Sequence, residues 1–269
     1  MIVWRKLASA KWEDAWMERL AFLGPQRLSV TLLTSGKSMR IEAWNLSEKE
    51  GRALVKQFGG ATGKAAERAW LAAPAPRAPI NIRGRLHIVQ NASETTPGIP
   101  ALIIPAAMAF GTGDHATTAS CLRLLLDVME QLDAPPAALD LGTGTGILAL
   151  AAKKCGAAAV DAFDFDPHAV RASKSNAKLN AIRGVHFFQA DVLTWEPERQ
   201  YDIVVANLFS EMLVKSMPLI RRSLAPKAHL ITSGILRHQW PDVEAALTSH
   251  RLKTLRLVRK GKWCAALAH

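Results

Sequence analysis

From about residue 115 onward, the apolar positions fall into two alternating rhythms. Ala138–Leu141, Val160–Phe165, Val185–Gln189, Tyr201–Ala206 and His229–Thr232 are short apolar runs of strand length. The stretches between and around them, 117–132, 147–155, 167–180, 211–224 and 239–249, carry apolar residues three and four apart, as a one-sided helix requires. Alternating strand and helix predict an α/β fold, a doubly wound parallel sheet. The last two runs, 252–258 and 263–267, are separated by Arg259-Lys-Gly-Lys262, which reads as a closing antiparallel hairpin and brings the sheet to seven strands.

The first third of the chain has a different pattern. Leu28–Leu33 and Met39–Trp44 alternate as strands, with Ser35-Gly36 supplying the turn. Trp12 to Leu23 has helical spacing, with Trp12, Trp16, Leu20 and Leu23 near one face, so both tryptophans read as core. Ser47-Glu-Lys-Glu50 has the form of a capping box opening a helix that runs to Phe58 and stops at Gly59-Gly60. Residues 1–66 are therefore expected to form a small α+β domain. Residues 67–79, with Trp70 and three prolines up to Pro79, read as an extended, semi-rigid linker. Residues 80–269 form the larger domain, opening with short strands at 80–89 and 101–104 around a loop.

Composition adds limits. Of 269 residues, 49% are apolar, enough for a core, yet no run approaches the roughly 20 residues that cross a bilayer. The start, Met1-Ile-Val-Trp-Arg-Lys, lacks a signal-peptide apolar stretch. Cys121, Cys155 and Cys264 are far apart, which fits small packing residues in a reducing cytoplasm and suggests no metal site. The net charge of +11 is uneven: residues 1–80 carry +6, 81–220 carry −3 and 221–269 carry +8. Basic ends around an acidic middle leave two readings open, an anionic partner such as ribosomal RNA or a merely solubilising surface.

The chemistry concentrates at two strand ends. Ala138-Leu-Asp-Leu-Gly-Thr-Gly-Thr-Gly146 is an apolar run followed by a glycine-rich turn; Phe163-Asp-Phe-Asp-Pro167 is an apolar run ending in a carboxylate. Glycines let a turn approach a ligand closely. An acid at the next strand end can accept from two ribose hydroxyls. Together they read as a nucleoside crevice at the carboxyl ends of parallel strands. Gly142, Gly144 and Gly146 give G-x-G-x-G, whereas dinucleotide binders use G-x-G-x-x-G and aim a helix at pyrophosphate. S-adenosylmethionine carries no phosphate and suits the shorter spacing.

A second motif, Met108-Ala-Phe-Gly-Thr-Gly-Asp-His-Ala-Thr-Thr118, precedes the first helix of the sheet domain. Its glycines suggest a turn capped by Thr117 and Thr118 that closes over a ligand. With Asp140–Ala149, Asp164–Pro167 and Ala206-Asn-Leu208, it closely resembles the PrmA family, from about Ile80 through Gly234-Ile-Leu236. That family methylates the large-subunit ribosomal protein L11 on lysine ε-amines and the N-terminal amine.

The resemblance implies a Rossmann-like methyltransferase sheet with a closing hairpin, a small substrate-recognition domain and a repositioning linker. It implies S-adenosylmethionine as cofactor, a ribosomal protein as substrate, no metal and no membrane. By the same resemblance, Thr118 lies near the cofactor's methionine portion, and Gly142 and Gly144 belong to the loop beneath it. Asp164 accepts the ribose hydroxyls, Phe110 and Gly111 cover the cofactor, and Asn207 lines the methyl-transfer point. Leu208 and Phe209 shape an apolar channel for a lysine stem. Asp191 either receives the adenine amino group or caps the turn after the third strand. His115 is either a proton acceptor or structural, Asp166 reads as a helix cap, and Asp140 supports the glycine loop from below.

Transfer from a sulfonium needs alignment more than acid–base help, because the leaving group is neutral. A lysine ammonium must first lose its proton, which a dry, slightly positive channel favours. No essential general base stands out. Two other enzymatic readings stay open: lysine methylation of a different protein, and RNA N-methylation. A scaffold that binds cofactor without transfer is the non-enzymatic alternative. The sequence Asn207-Leu-Phe-Ser210 argues against a flipped base, since such enzymes carry Asn-Pro-Pro-Tyr there.

Overall fold

A computed structural model describes residues 2–12, 16, 19–23, 27–33, 37–64, 78–105, 113 and 115–269. The chain divides into two compact units, Met1–Ala75 and Pro76–His269.

In the first unit, strands β1 (Ile2–Ser9), β2 (Leu28–Leu32), β3 (Ser38–Leu46) and β4 (Ala61–Lys64) make an antiparallel sheet in the order β2-β3-β1-β4. Helix α1 (Glu48–Phe58) opens on the expected capping box. The Glu50 N–H donates to Ser47 Oγ at 3.3 Å, and the Ser47 N–H donates to Glu50 Oε2 at 2.7 Å. It ends at Gly59, whose φ of +70° a side chain would resist. Trp4, Leu20, Met39, Ile41 and Leu54 form the core, and the Trp4 indole donates to Gly59 O at 2.8 Å.

Three expectations change here. β1 and β4 join the two foreseen strands. Trp12 is 56% exposed and not core, while Trp16 is half-buried, edge-on to Phe58. The helix expected over 12–23 falls partly outside the described residues, which hold short 3-10 turns at Ala10–Trp12 and Ala21–Leu23. The Ser35-Gly36 turn, Trp70 and nearly all of the expected linker also lie outside the described residues.

The second unit opens with a small sheet of β5 (Ile80–Ile82), β6 (Leu86–Val89) and β7 (Ala101–Ile103). β5 and β6 are antiparallel, β6 and β7 parallel. Asn180 fastens β7 with both ends of its amide, accepting from Ile103 N–H at 2.7 Å and donating to Ile103 O at 2.8 Å.

Then comes the large sheet. Its strands are β8 (Ala137–Leu141), β9 (Ala159–Asp164), β10 (Val185–Gln189), β11 (Tyr201–Asn207), β12 (Leu224–Leu236), β13 (Thr254–Lys260) and β14 (Trp263–Ala268). They lie in the order β10-β9-β8-β11-β12-β14-β13; six run parallel, and β14 alone runs antiparallel, between β12 and β13. The helices are α2 (Ala116–Met129), α3 (Ile147–Lys154), α4 (Pro167–Leu179), α5 (Ser210–Ser223) and α6 (Trp240–Ser249).

Side chains of a strand point alternately to its two faces, and the two cores divide accordingly. Ala138, Ile203, Val205 and Ile231 join Leu122, Leu125 and Leu150 of α2 and α3 on one face. Leu139, Leu141, Val204, Ala206 and Leu230 join Leu213, Met217 and Val243 of α5 and α6 on the other. Each fully buried leucine contributes about 1.5–3 kcal/mol. Apolar cover on both sides is what gives these strands their unbroken apolar sequence.

Candidate active site

The strand order reverses at the middle of the large sheet. From β8 the chain winds outward through β9 and β10, then returns to β11 on the other side of β8 and continues to β12. Such a switch point opens a crevice at the carboxyl ends of the strands. Gly142 follows β8 and Asn207 closes β11, so the two flank it.

The glycine turn has the backbone that its sequence requires. Gly142, Gly144 and Gly146 have φ of +70°, +55° and +82°. The Gly142 and Thr143 N–H groups donate to Phe163 O at 3.0 and 2.9 Å, tying the turn to the end of β9. Below it, Asp140 is buried; its Oδ2 accepts from Thr143 Oγ1 at 2.6 Å and from the Ala149 N–H at 3.2 Å. Burial pushes the Asp140 carboxyl up to about 6, and the Asp164 charge adds to the rise, while those two hydrogen bonds oppose it. Asp140 thus supports the loop from beneath.

Asp164 is half-buried at the strand end. Its Oδ2 accepts from Gly144 N–H at 2.9 Å and its Oδ1 from Asp166 N–H at 3.0 Å. A carboxylate oxygen has two acceptor sites, so each oxygen keeps one for a ligand hydroxyl. Asp166 caps α4 by accepting from His168 N–H at 2.8 Å.

Asn207 reaches across to α2, where its Nδ2 donates to the fully buried Thr118 Oγ1 at 3.4 Å. Among the described residues, its buried Oδ1 has no hydrogen-bond partner. An acceptor left empty in this way costs free energy unless something else fills it.

Of the second motif, Gly113 and residues 115–118 are described; Phe110 and Gly111 lie outside the described residues. Gly113 is buried, and a methyl there would stand 3.1 Å from Ile147 Cδ1 and 3.2 Å from Ile88 Cγ2. Gly113 therefore packs tightly against the start of α3, directly after the glycine turn. The cap of α2 is His115, not Thr117 or Thr118. The His115 ring nitrogen accepts from the Thr117 N–H, and the ring sits edge-on to Trp263. This is the structural role left open for His115.

Asp191 takes the capping geometry: its Oδ1 accepts from Leu193 N–H at 2.9 Å. The neighbouring Ala190 N–H donates to Asp164 O at 3.1 Å, so Asp191 sits one residue from the Asp164 strand end. The Leu208 side chain packs on Gly142. Phe209 is 66% exposed at the rim. Gly234 was not singled out as a site residue. A lone glycine inside a strand pattern was the available signal of close backbone approach.

No described helix is long and apolar enough to cross a membrane. Among the described residues, no group of three or more His, Cys, Asp or Glu is placed to hold a metal ion.

A seven-stranded sheet ending in an antiparallel hairpin, with a G-x-G-x-G turn after its central strand and an acid after the next, is the Rossmann-like methyltransferase fold. Residues 26–269 match the family described as "Ribosomal protein L11 methyltransferase (PrmA)", and the chain belongs to that family.

Two relatives carry the name "Ribosomal protein L11 methyltransferase". The protein from Bradyrhizobium diazoefficiens is 40% identical over 189 residues, 68% of this chain and 63% of the relative. The one from Pelobacter propionicus is 36% identical over 191 residues, 70% and 62% respectively. The chain thus spans less than two thirds of the length of these relatives. The crystal structure of a ribosomal protein L11 methylase from Lactobacillus delbrueckii subsp. bulgaricus has a TM-score of 0.65 at 29% identity. That match covers 72% of this chain and 98% of the other.

Proposed function

We propose that this chain is an S-adenosylmethionine-dependent protein methyltransferase acting on lysine ε-amines, and on the N-terminal amine, of ribosomal protein L11. Family membership and the names of its relatives support the substrate class. The observation that carries the site reading is the buried Oδ1 of Asn207, which has no hydrogen-bond partner among the described residues.

The crevice fits the cofactor by its own chemistry. Asp164 keeps two free acceptor sites at the strand end that the glycine turn is tied to. When bound, S-adenosylmethionine supplies a methyl group on a sulfonium. Thr118, Gly142 and Gly144 cradle its amino-acid end and Asp164 holds its ribose. Phe110 and Gly111 cover it, and Asp191 lies toward the adenine.

Asn207 accepts an N–H of the incoming amine and aligns its lone pair. The amine must arrive neutral. Removal from water lowers a lysine pKa, and the exposed Phe209 ring gives the four-carbon stem an apolar approach. Asn207 and Phe110 are thus the residues assigned to the transfer step, with no general base required.

The small unit, residues 1–66, recognises the substrate, and residues 67–79 let it reposition so that several amines reach one crevice. The basic ends contact ribosomal RNA when the substrate is presented near it; the +8 charge of residues 221–269 supports this. The three cysteines are all free, which suits a cytoplasmic protein.

The test is transfer of labelled methyl groups to purified L11, with ribosomal RNA as a parallel acceptor and Asp164→Ala as control. Label on L11 that disappears in the variant is the expected result. Label on RNA alone, or none despite measurable cofactor binding, overturns the substrate.

A further inference from the structure

We infer that Leu208 is a positioning residue, a wedge that sets the glycine turn against Asn207 and is itself seated on Gly234. The inference rests on the crevice reading proposed above.

Two glycines from different strands close on this one residue. A methyl at Gly142 would stand 2.5 Å from Leu208 Cδ2 and 3.7 Å from its Cγ. The Leu208 side chain therefore occupies the space where any other residue would place a Cβ, and the turn rests its bare backbone on it. On the opposite side, a methyl at Gly234 would stand 2.3 Å from Leu208 O, 2.8 Å from its carbonyl carbon and 3.3 Å from its nitrogen. The Leu208 peptide lies flat on Gly234.

Gly234 is built for this contact. Its φ is +85°, and β12 slips register against β14 between Ser233 and Ile235. The extra residue of the bulge is Gly234 itself. The Leu208 N–H donates to Ser233 O at 3.1 Å and fixes the height of the peptide.

Asn207 immediately precedes the wedge, so the seat on Gly234 sets where its carboxamide stands. The side chain sets where the glycine turn stands. One residue thus fixes the gap between the group that aligns the amine and the turn beneath the cofactor.

The two contacts answer differently to substitution. Leu208→Ala removes the support under Gly142 and leaves the peptide seated. Gly234→Ala pushes the Leu208 peptide, and moves Asn207 and the Leu208 side chain together. We expect Leu208→Ala to weaken binding of S-adenosylhomocysteine about tenfold, with turnover at saturating cofactor within about threefold of the parent. We expect Gly234→Ala to lower both. Turnover falls about a hundredfold, as a displacement near 1 Å can cause, and affinity falls about tenfold with it. Leu208→Met, which reaches the same space, should restore affinity.

Binding is read by calorimetry and turnover by labelled-methyl transfer. Unchanged affinity in a folded Leu208→Ala variant overturns the wedge, as does equal loss of affinity and turnover in both variants. If Gly234→Ala does not fold, the Leu208→Ala and Leu208→Met pair decides alone. A parent chain that fails to bind S-adenosylhomocysteine overturns the crevice reading and the wedge with it. A parent that binds it but transfers to no acceptor overturns only the substrate, and the affinity arm still decides the wedge.

Discussion

The Gly144 N–H donates to Asp164 Oδ2 at 2.9 Å, joining the turn after β8 to the carboxylate at the end of β9. The acid proposed to hold the ribose also holds the loop proposed to cradle the methionine end. Replacing it should therefore affect both. A hydrogen bond to a charged group is worth about 1.5–3 kcal/mol, so Asp164→Ala should weaken S-adenosylhomocysteine affinity by at least about tenfold. Asp164→Asn keeps one acceptor for Gly144 and should lose less. Calorimetry on the three proteins checks the order, and parent-like affinity in the alanine variant would remove Asp164 from the site.

Asn207 should behave differently from Asp164. Its Nδ2 is engaged by Thr118 and its Oδ1 faces no partner among the described residues, so the free acceptor is available to an incoming amine. Asn207→Ala should cut turnover about a hundredfold while leaving cofactor affinity within about threefold. Single-turnover transfer measured alongside cofactor binding separates the two. Parent-like turnover with bound cofactor would show that Asn207 does not align the amine.

Asp140 makes stability depend on pH in the less common direction. Its folded value, about 6, lies above the 3.8 of an ordinary aspartate, because burial disfavours its charge. The native state then keeps a proton that the unfolded chain has released. Its contribution is fullest below pH 3.8 and is lost as pH rises through about 6. The shift corresponds to about 3 kcal/mol. Asp140→Asn should flatten the stability profile between pH 4 and 7, roughly the window those two values span. Urea unfolding across that range measures it, and an unaltered slope would mean that Asp140 does not carry it.

Much of this architecture is readable from sequence because local pattern and global fold agree from residue 115 onward. Apolar runs buried on both faces announce β8 to β11, and Pro167 and Asp166 announce the start of α4. The exceptions have physical causes. β12 extends to Leu224 and Leu236, far beyond its apolar run, since Ala225-Pro226-Lys227 carries no strand pattern and only Leu224 pairs there, with Tyr201. β4 reads Ala-Thr-Gly-Lys; as an exposed edge strand it needs no alternation. Trp12 was assigned by helical spacing, but the chain there makes a 3-10 turn that leaves it exposed. The crevice shows a similar split. Gly142, Asp164 and Asn207 are marked by their place at strand ends. The contact of Leu208 with Gly234 depends on a bulge in a strand whose register no local pattern specifies.

Asp127 supplies the opposite pH signature and a test of how the second unit is knitted together. It lies on α2 and receives Arg85 at 2.7 Å, Arg256 at 2.9 Å and Arg83 at 3.2 Å. Arg85 also pairs with Glu130. One carboxylate thus ties the β5–β6 hairpin and the edge strand β13 to the same helix. Partial burial raises its pKa, but hydrogen bonds from Arg85 and Arg256 and the charge of Arg83 outweigh this and hold it below the usual value. The native state therefore releases its proton more readily than the unfolded chain. The contribution is full above pH 3.8 and is lost as pH falls through the lower folded value. Asp127→Asn keeps the shape, removes the charge and leaves three guanidinium groups facing one another. It should cost about 2 kcal/mol at neutral pH, between the worth of a surface pair and that of a buried one. The difference from the parent should shrink as pH falls below 3.8 and the parent carboxylate takes up its proton. Urea unfolding of both proteins at pH 7 and near pH 2.5 measures it. An equal difference at both pH values would mean that the loss comes from packing and that the arginine cluster contributes no net electrostatic stability.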